Sequence, residues 1–213
     1  MTKPIRTIRL LIILAAVLIA FGAMTAQAQT NLLQNPGFEP PFVNVGGNAL
    51  VQVAQGWTPW HVPQGSGDTS SQNLEPEYYP SSDVSNGLGV PRIRSGTDAQ
   101  QYFTFFGTHT GGVFQRVTGV TPGTELRFGV FAYVWSSSFD DPDVSEEDGG
   151  VLLQVGIDPA GGTDGQSASI IWSSAVPLYD AFNEYVVTAT ASGSAVSVWV
   201  RSIVSFPVRN NNI

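Results

Sequence analysis

Hydrophobic and polar residues alternate with a period of two over much of this chain. Within residues 126–135, Leu126, Phe128, Val130, Ala132 and Val134 share one face, opposite Arg127, Gly129, Phe131, Tyr133 and Trp135. Residues 151–158 place Val151, Leu153, Val155 and Ile157 together, and residues 194–202 set Val196, Val198 and Val200 against Ser197, Trp199 and Arg201. A period of two is the signature of a strand whose two faces meet different surroundings. Weaker alternation predicts further strands at 50–55, 100–106, 113–117, 169–172 and 184–191. Turn signals separate them: GVTPGTE from Gly119, DPAGGTDG from Asp158 and TASGSA from Thr190. No window after residue 29 carries a helical period, so the pattern predicts an all-β sandwich or barrel. The alternation lapses over 59–91, which holds Trp60, His61, Tyr78 and Tyr79, and over 136–150, which holds six acidic residues. Both are expected to be long loops, and loops of that length in a small domain usually carry function.

The first 28 residues read differently. Lys3, Arg6 and Arg9 precede the apolar run at 10–21, and Ala26-Gln27-Ala28 supplies small residues where a signal peptidase reads. The run is shorter than the roughly 20 residues of a membrane span. The expectation is a signal peptide over 1–28, a mature domain over 29–213, and a secreted or cell-surface location. Residues 29–213 keep six basic residues against all 17 acidic ones, a net charge of −11. Such a balance repels nucleic acid and anionic lipid, so neither is an expected partner. The chain has no cysteine, which excludes zinc–thiolate sites and thiol nucleophiles. A domain of this size can bury a core without disulfides.

NLLQNPGFE at 31–39, GWTPW at 56–60 and GGVFQRVTGVTPGTELRFGVFAYVW at 111–135 occur in that order. This run of features resembles the carbohydrate-binding modules of the family-four, family-nine and family-twenty-two kind, within the galactose-binding-like jelly rolls. The resemblance implies a jelly-roll β-sandwich. It also implies a structural calcium held by Glu39 and by an aspartate of a closing strand that carries an aromatic residue and paired aspartates. The sequence reads RNNNI at 209–213, where such a strand should begin. Two readings follow: a chain that continues, or a domain that lacks its last strand and leaves a sheet edge unpaired.

The candidate chemistry is recognition rather than catalysis. Sugar rings stack their C–H faces on flat aromatic side chains and engage planar polar groups through their hydroxyls. Phe131, Tyr133 and Trp135 share a face with Arg127, and Trp199 with Arg201 repeats the arrangement on another strand. Trp60, His61, Tyr78 and Tyr79 are expected to close one side, with Arg92, Arg94 or Arg201 reading hydroxyls. The alternative for each aromatic is packing in the core, which is the expected place of Trp57 and Trp172. The acidic segment 140–148 lacks the spacing of an EF-hand and reads as a solvated loop. No nucleophile-elbow or zincin motif accompanies His61 or His109. The expected function is a non-catalytic module binding a poly- or oligosaccharide. A structural or adhesive surface domain with a protein partner stands second, and a glycoside hydrolase third.

Overall fold

The computed structural model describes residues 30–81, 92–139, 144–146 and 148–213. The expected export signal, and Asp140, Asp141, Asp143 and Glu147 of the acidic segment, lie outside the described residues. Leu32–Ile213 form one compact unit. Its strands are Phe42–Asn44 (β1), Gln52–Ala54 (β2), Thr58–His61 (β3), Glu77–Ser81 (β4), Ala99–Phe105 (β5), His109–Thr118 (β6), Glu125–Tyr133 (β7), Trp135–Ser137 (β8), Leu152–Asp158 (β9), Ile171–Trp172 (β10), Phe182–Thr190 (β11), Ala195–Val204 (β12) and Asn210–Asn212 (β13). There is no helix among the described residues, and every pairing of named strands is antiparallel.

One layer is the five-stranded sheet β10-β9-β12-β6-β3. The other layer has two parts, the four-stranded β4-β5-β13-β8 and the pair β11-β7, with β7 running into β8 through Val134 alone. Between the layers lies one apolar core. Val113, Val155 and Val200 come from the first layer, Tyr78 and Tyr102 from the four-stranded part, and Phe128, Val134 and Tyr185 from the β7–β11 side. The apolar face read from the period-two pattern is the one that meets the core between the layers in β7, β9 and β12. The fold is an all-β sandwich.

Five strands depart from the sequence expectation, and two of them are β1, over residues not predicted as strand, and β8, which runs into the expected loop 136–150. Segment 59–91 is not loop throughout: Trp60 and His61 belong to β3, paired with Gly112 and Gly111 of β6, and Tyr78 and Tyr79 belong to β4, paired with β5. Prolines at 59 and 80 mask these strands in the sequence. Both strands lie at sheet edges, where a residue without an N–H is tolerated. At 210–212 the Asn triplet forms β13, hydrogen-bonded to β5 on one side and β8 on the other. Asparagine has poor strand propensity, so nothing in the pattern announced it.

Candidate functional site

The outer face of the second layer carries the aromatic surface. Because Tyr102 and Thr104 of β5 point inward, Gln101, Phe103 and Phe105 point out. On the neighbouring strand Tyr79 faces out while Tyr78 enters the core. Tyr79 and Phe103 stack with centroids 5.8 Å apart and planes inclined 15°. Phe105 follows edge-on at 5.0 Å and is 49% exposed. Amides flank this ladder: Gln101 Nε2 donates to Asn212 Oδ1 at 2.8 Å, and Asn210 Nδ2 donates to the Phe139 carbonyl at 2.7 Å.

Across the face, the polar side of β7 continues the surface. Phe131 is 42% exposed and lies 3.4 Å beneath the Arg94 guanidinium. Arg92 spans two rings, 4.6 Å above Tyr133 and 5.2 Å from Trp135, and Phe182 meets Tyr133 edge-on at 5.4 Å. Arginine over an aromatic face is held by cation–π attraction. The Nε and Nη2 of Arg92 and the Nε1 of Trp135 are buried without a hydrogen-bond partner among the described residues. Tyr133 and Trp135 therefore present their faces to Arg92 and position it, while Phe131, Phe105 and Tyr79 offer the more open rings. Arg127 ion-pairs with Glu184 at 2.6 Å, both half exposed.

The other predicted residues lie elsewhere. Tyr78 is fully buried against Tyr102 at 5.6 Å, with its hydroxyl directed at the carbonyls of Trp60 and Gly112. Burial drives its pKa well above the ordinary phenol value. It is core, not a ligand contact, because alternation along β4 sends it opposite to Tyr79.

Trp199 and Arg201 share a face as expected, but on the first layer, across the core from Tyr133, and Trp60, expected in a loop, joins them there from β3. Trp199 is fully buried, stacked on Phe114 at 4.2 Å and meeting Trp60 edge-on at 5.3 Å. Trp60 Nε1 donates to the Val200 carbonyl at 3.3 Å, and Gly165 closes over the Trp60 ring so tightly that a Cβ there would lie 2.4 Å from it. Arg201 lies 3.7 Å over Trp172 and donates from Nε to Gln154 Oε1 at 3.0 Å. Phe114 and Trp60 thus cover Trp199, and the 159–170 connection closes over Trp60, which makes a second small packed layer instead of a platform. His61 stands half-buried at the end of β3. His109 is fully buried between Thr104 Oγ1, at 3.0 Å, and Ser202 Oγ, at 2.7 Å. Desolvation holds its pKa down to about 3.

Glu39 anchors the N-terminal motif. Its carboxylate accepts from Thr97 Oγ1 at 2.7 Å and from the Thr97 amide at 3.1 Å, which lowers its pKa. Thr97 Oγ1 also lies 3.0 Å from Asp98 Oδ2. A calcium ion takes six to eight oxygens, drawn from carboxylates, carbonyls and water. No group of three or more His, Cys, Asp or Glu that could hold a metal occurs among the described residues.

No family model matches this chain, and no curated protein does. Among solved structures it is similar to TmCBM61 in complex with beta-1,4-galactotriose, at TM-score 0.49 and 12% identity over 86% of this chain and 93% of that one. It is also similar to the enzymatically active domain of the bacteriophage CBA120 tailspike protein 4, at TM-score 0.43 and 14% identity over 74% of this chain and 18% of that one. Likenesses this distant decide no function, which has to come from the chain's own side chains.

Proposed function

We propose that this chain is an exported, non-catalytic carbohydrate-binding module, and that the sugar lies across the outer face of β4, β5 and β7. The observation that carries the proposal is the aromatic ladder in which Tyr79 stacks on Phe103 and Phe105 meets Phe103 edge-on, with amides beside it and Phe131, Arg94 and Arg92 across from it. Flat rings accept the C–H faces of pyranoses. Gln101, Asn212 and the arginines supply planar donors and acceptors for hydroxyls. Rigid strands hold the rings in place, which keeps the entropic cost of binding low. The surface is open and elongated rather than a closed pocket, which suits a stretch of polysaccharide more than a single sugar.

The test is retention of the folded chain on a panel of insoluble polysaccharides, with a glycan array beside it. Selective retention on one glycan class is the expected result. A folded chain retained by nothing across a broad panel overturns the proposal.

A further inference from the structure

Phenylalanines gather at the end of the sandwich where the ladder on β5 runs out. Phe105 closes β5, and Phe106 follows it in the turn to β6, 61% exposed. Phe139, just past β8, is 59% exposed, and Phe206, between β12 and β13, is 58% exposed. The start of β13 ties their loops together. Asn210 Nδ2 donates to the Phe139 carbonyl at 2.7 Å, and Asn211 Nδ2 reaches the carbonyls of Phe206 and Gly107 at 3.3 and 3.4 Å. The Phe106 amide donates to the Val208 carbonyl at 3.1 Å. Scattered exposed rings are ordinary on a protein surface, but rings gathered from three loops mark a contact surface.

Phe106 carries a second mark. Its φ is +49°, in the left-handed region that a bulky side chain rarely enters and glycine enters freely. With its ring mostly in solvent, packing does little to offset that strain. A strained backbone that holds an apolar ring outward is what a ligand contact requires, and a turn alone does not. Phe139 is in phase with the ladder's own face. It follows Trp135 and Ser137 by steps of two, and Ser137 pairs with Asn210, which pairs with Phe105. Phe105 and Phe139 therefore flank Asn210 at the rim, with Phe106 directly after Phe105.

We propose that the polysaccharide continues past Phe105 onto this rim, where Phe106 and Phe139 form a further subsite for the next sugar units. The inference rests on the carbohydrate reading and lengthens its site. Continuity with the ladder favours the sugar as occupant, because the same C–H faces that stack on Phe103 and Phe105 meet rings of the same kind one residue further on. A net charge of −11 over residues 29–213 opposes an anionic lipid surface.

The experiment is calorimetric titration of the full chain with three-unit and eight-unit oligosaccharides cut from each polysaccharide of the panel, cellulose, mannan, xylan and galactan among them. The native chain should bind the eight-unit member of the recognised series at least tenfold more tightly than the three-unit one. The Phe106→Gly/Phe139→Ala variant should keep native affinity for three units, lose at least fivefold for eight, and melt at or above the native Tm, since glycine relieves the strained turn. Phe105→Ala should weaken both lengths. Equal native affinity for both lengths, an unchanged eight-unit affinity in the double variant, or an equal loss for both lengths there overturns the inference and leaves the ladder standing. No binding of any series by the native chain overturns the carbohydrate reading itself. Sedimentation covers the other occupants. A native dimer that the double variant dissolves, or attachment to phosphatidylcholine vesicles that it abolishes, assigns the rings elsewhere and also overturns the inference.

Discussion

At the residue scale, the direction of a single side chain decides between recognition and packing. Tyr78 and Tyr79 are adjacent, yet one is sealed in the core and the other stacks on Phe103 at the surface. Tyr78→Ala is expected to destabilise the fold by about 3–5 kcal/mol, the range for large aromatic truncations in a core. Tyr79→Ala is expected to leave Tm within a few degrees and weaken sugar retention. Denaturant unfolding beside a binding assay checks both. His109 gives a pH signature. Its unfolded value lies near 6.5 and its folded value near 3, because burial penalises the charged ring. The unfolded chain therefore binds the proton first as pH falls. Stability is full above about pH 6.5 and declines steadily toward pH 3. Between pH 7 and 5.5, before most carboxylates titrate, the loss is about 1 kcal/mol. Urea titrations at the two pH values should show it, and His109→Asn should abolish the difference.

At the element scale, the sequence carried the regular strands and hid the punctuated ones. The period-two alternation of β7, β9 and β12 was legible because each has a largely apolar face toward the core. β3 and β4 were not, because Pro59 and Pro80 sit inside them and their edge positions need no complete ladder. Phe131, Tyr133 and Trp135 could be placed together on one outward face. The Tyr79–Phe103–Phe105 ladder could not, since it depends on which strand neighbours β5, and pairing is not written in local pattern. Trp199 shows the reverse difficulty: alternation turned it outward correctly, but Phe114 and Trp60 then covered it, with the 159–170 connection closing over Trp60. That cover depends on Gly165, where a Cβ would lie 2.4 Å from the Trp60 ring. Gly165→Val is expected to lift the connection, cost about 2 kcal/mol of overpacking strain and shift tryptophan emission to the red.

At the scale of the whole molecule, the sandwich offers two outer faces with aromatic residues and arginines, and only one is open. On the first layer Trp60, Trp199 and Phe114 bury one another, and Arg201 is engaged by Gln154 and Trp172. On the second layer Phe105 and Phe131 remain exposed, and Arg92 keeps donors without a hydrogen-bond partner among the described residues. A net charge of −11 over residues 29–213 favours an uncharged ligand. Retention on a neutral polysaccharide should therefore change little between 0.05 and 0.5 M salt, because stacking and hydroxyl contacts are not screened as exposed charge pairs are. The most direct measurement compares affinities for the retained polysaccharide among the native chain, a Phe105→Ala/Phe131→Ala variant and a Trp172→Ala variant, each verified as folded. At least a tenfold loss in the double variant, with Trp172→Ala near native affinity, is the predicted result. Native affinity in the double variant, or a larger loss in Trp172→Ala, would contradict a binding face on β4, β5 and β7.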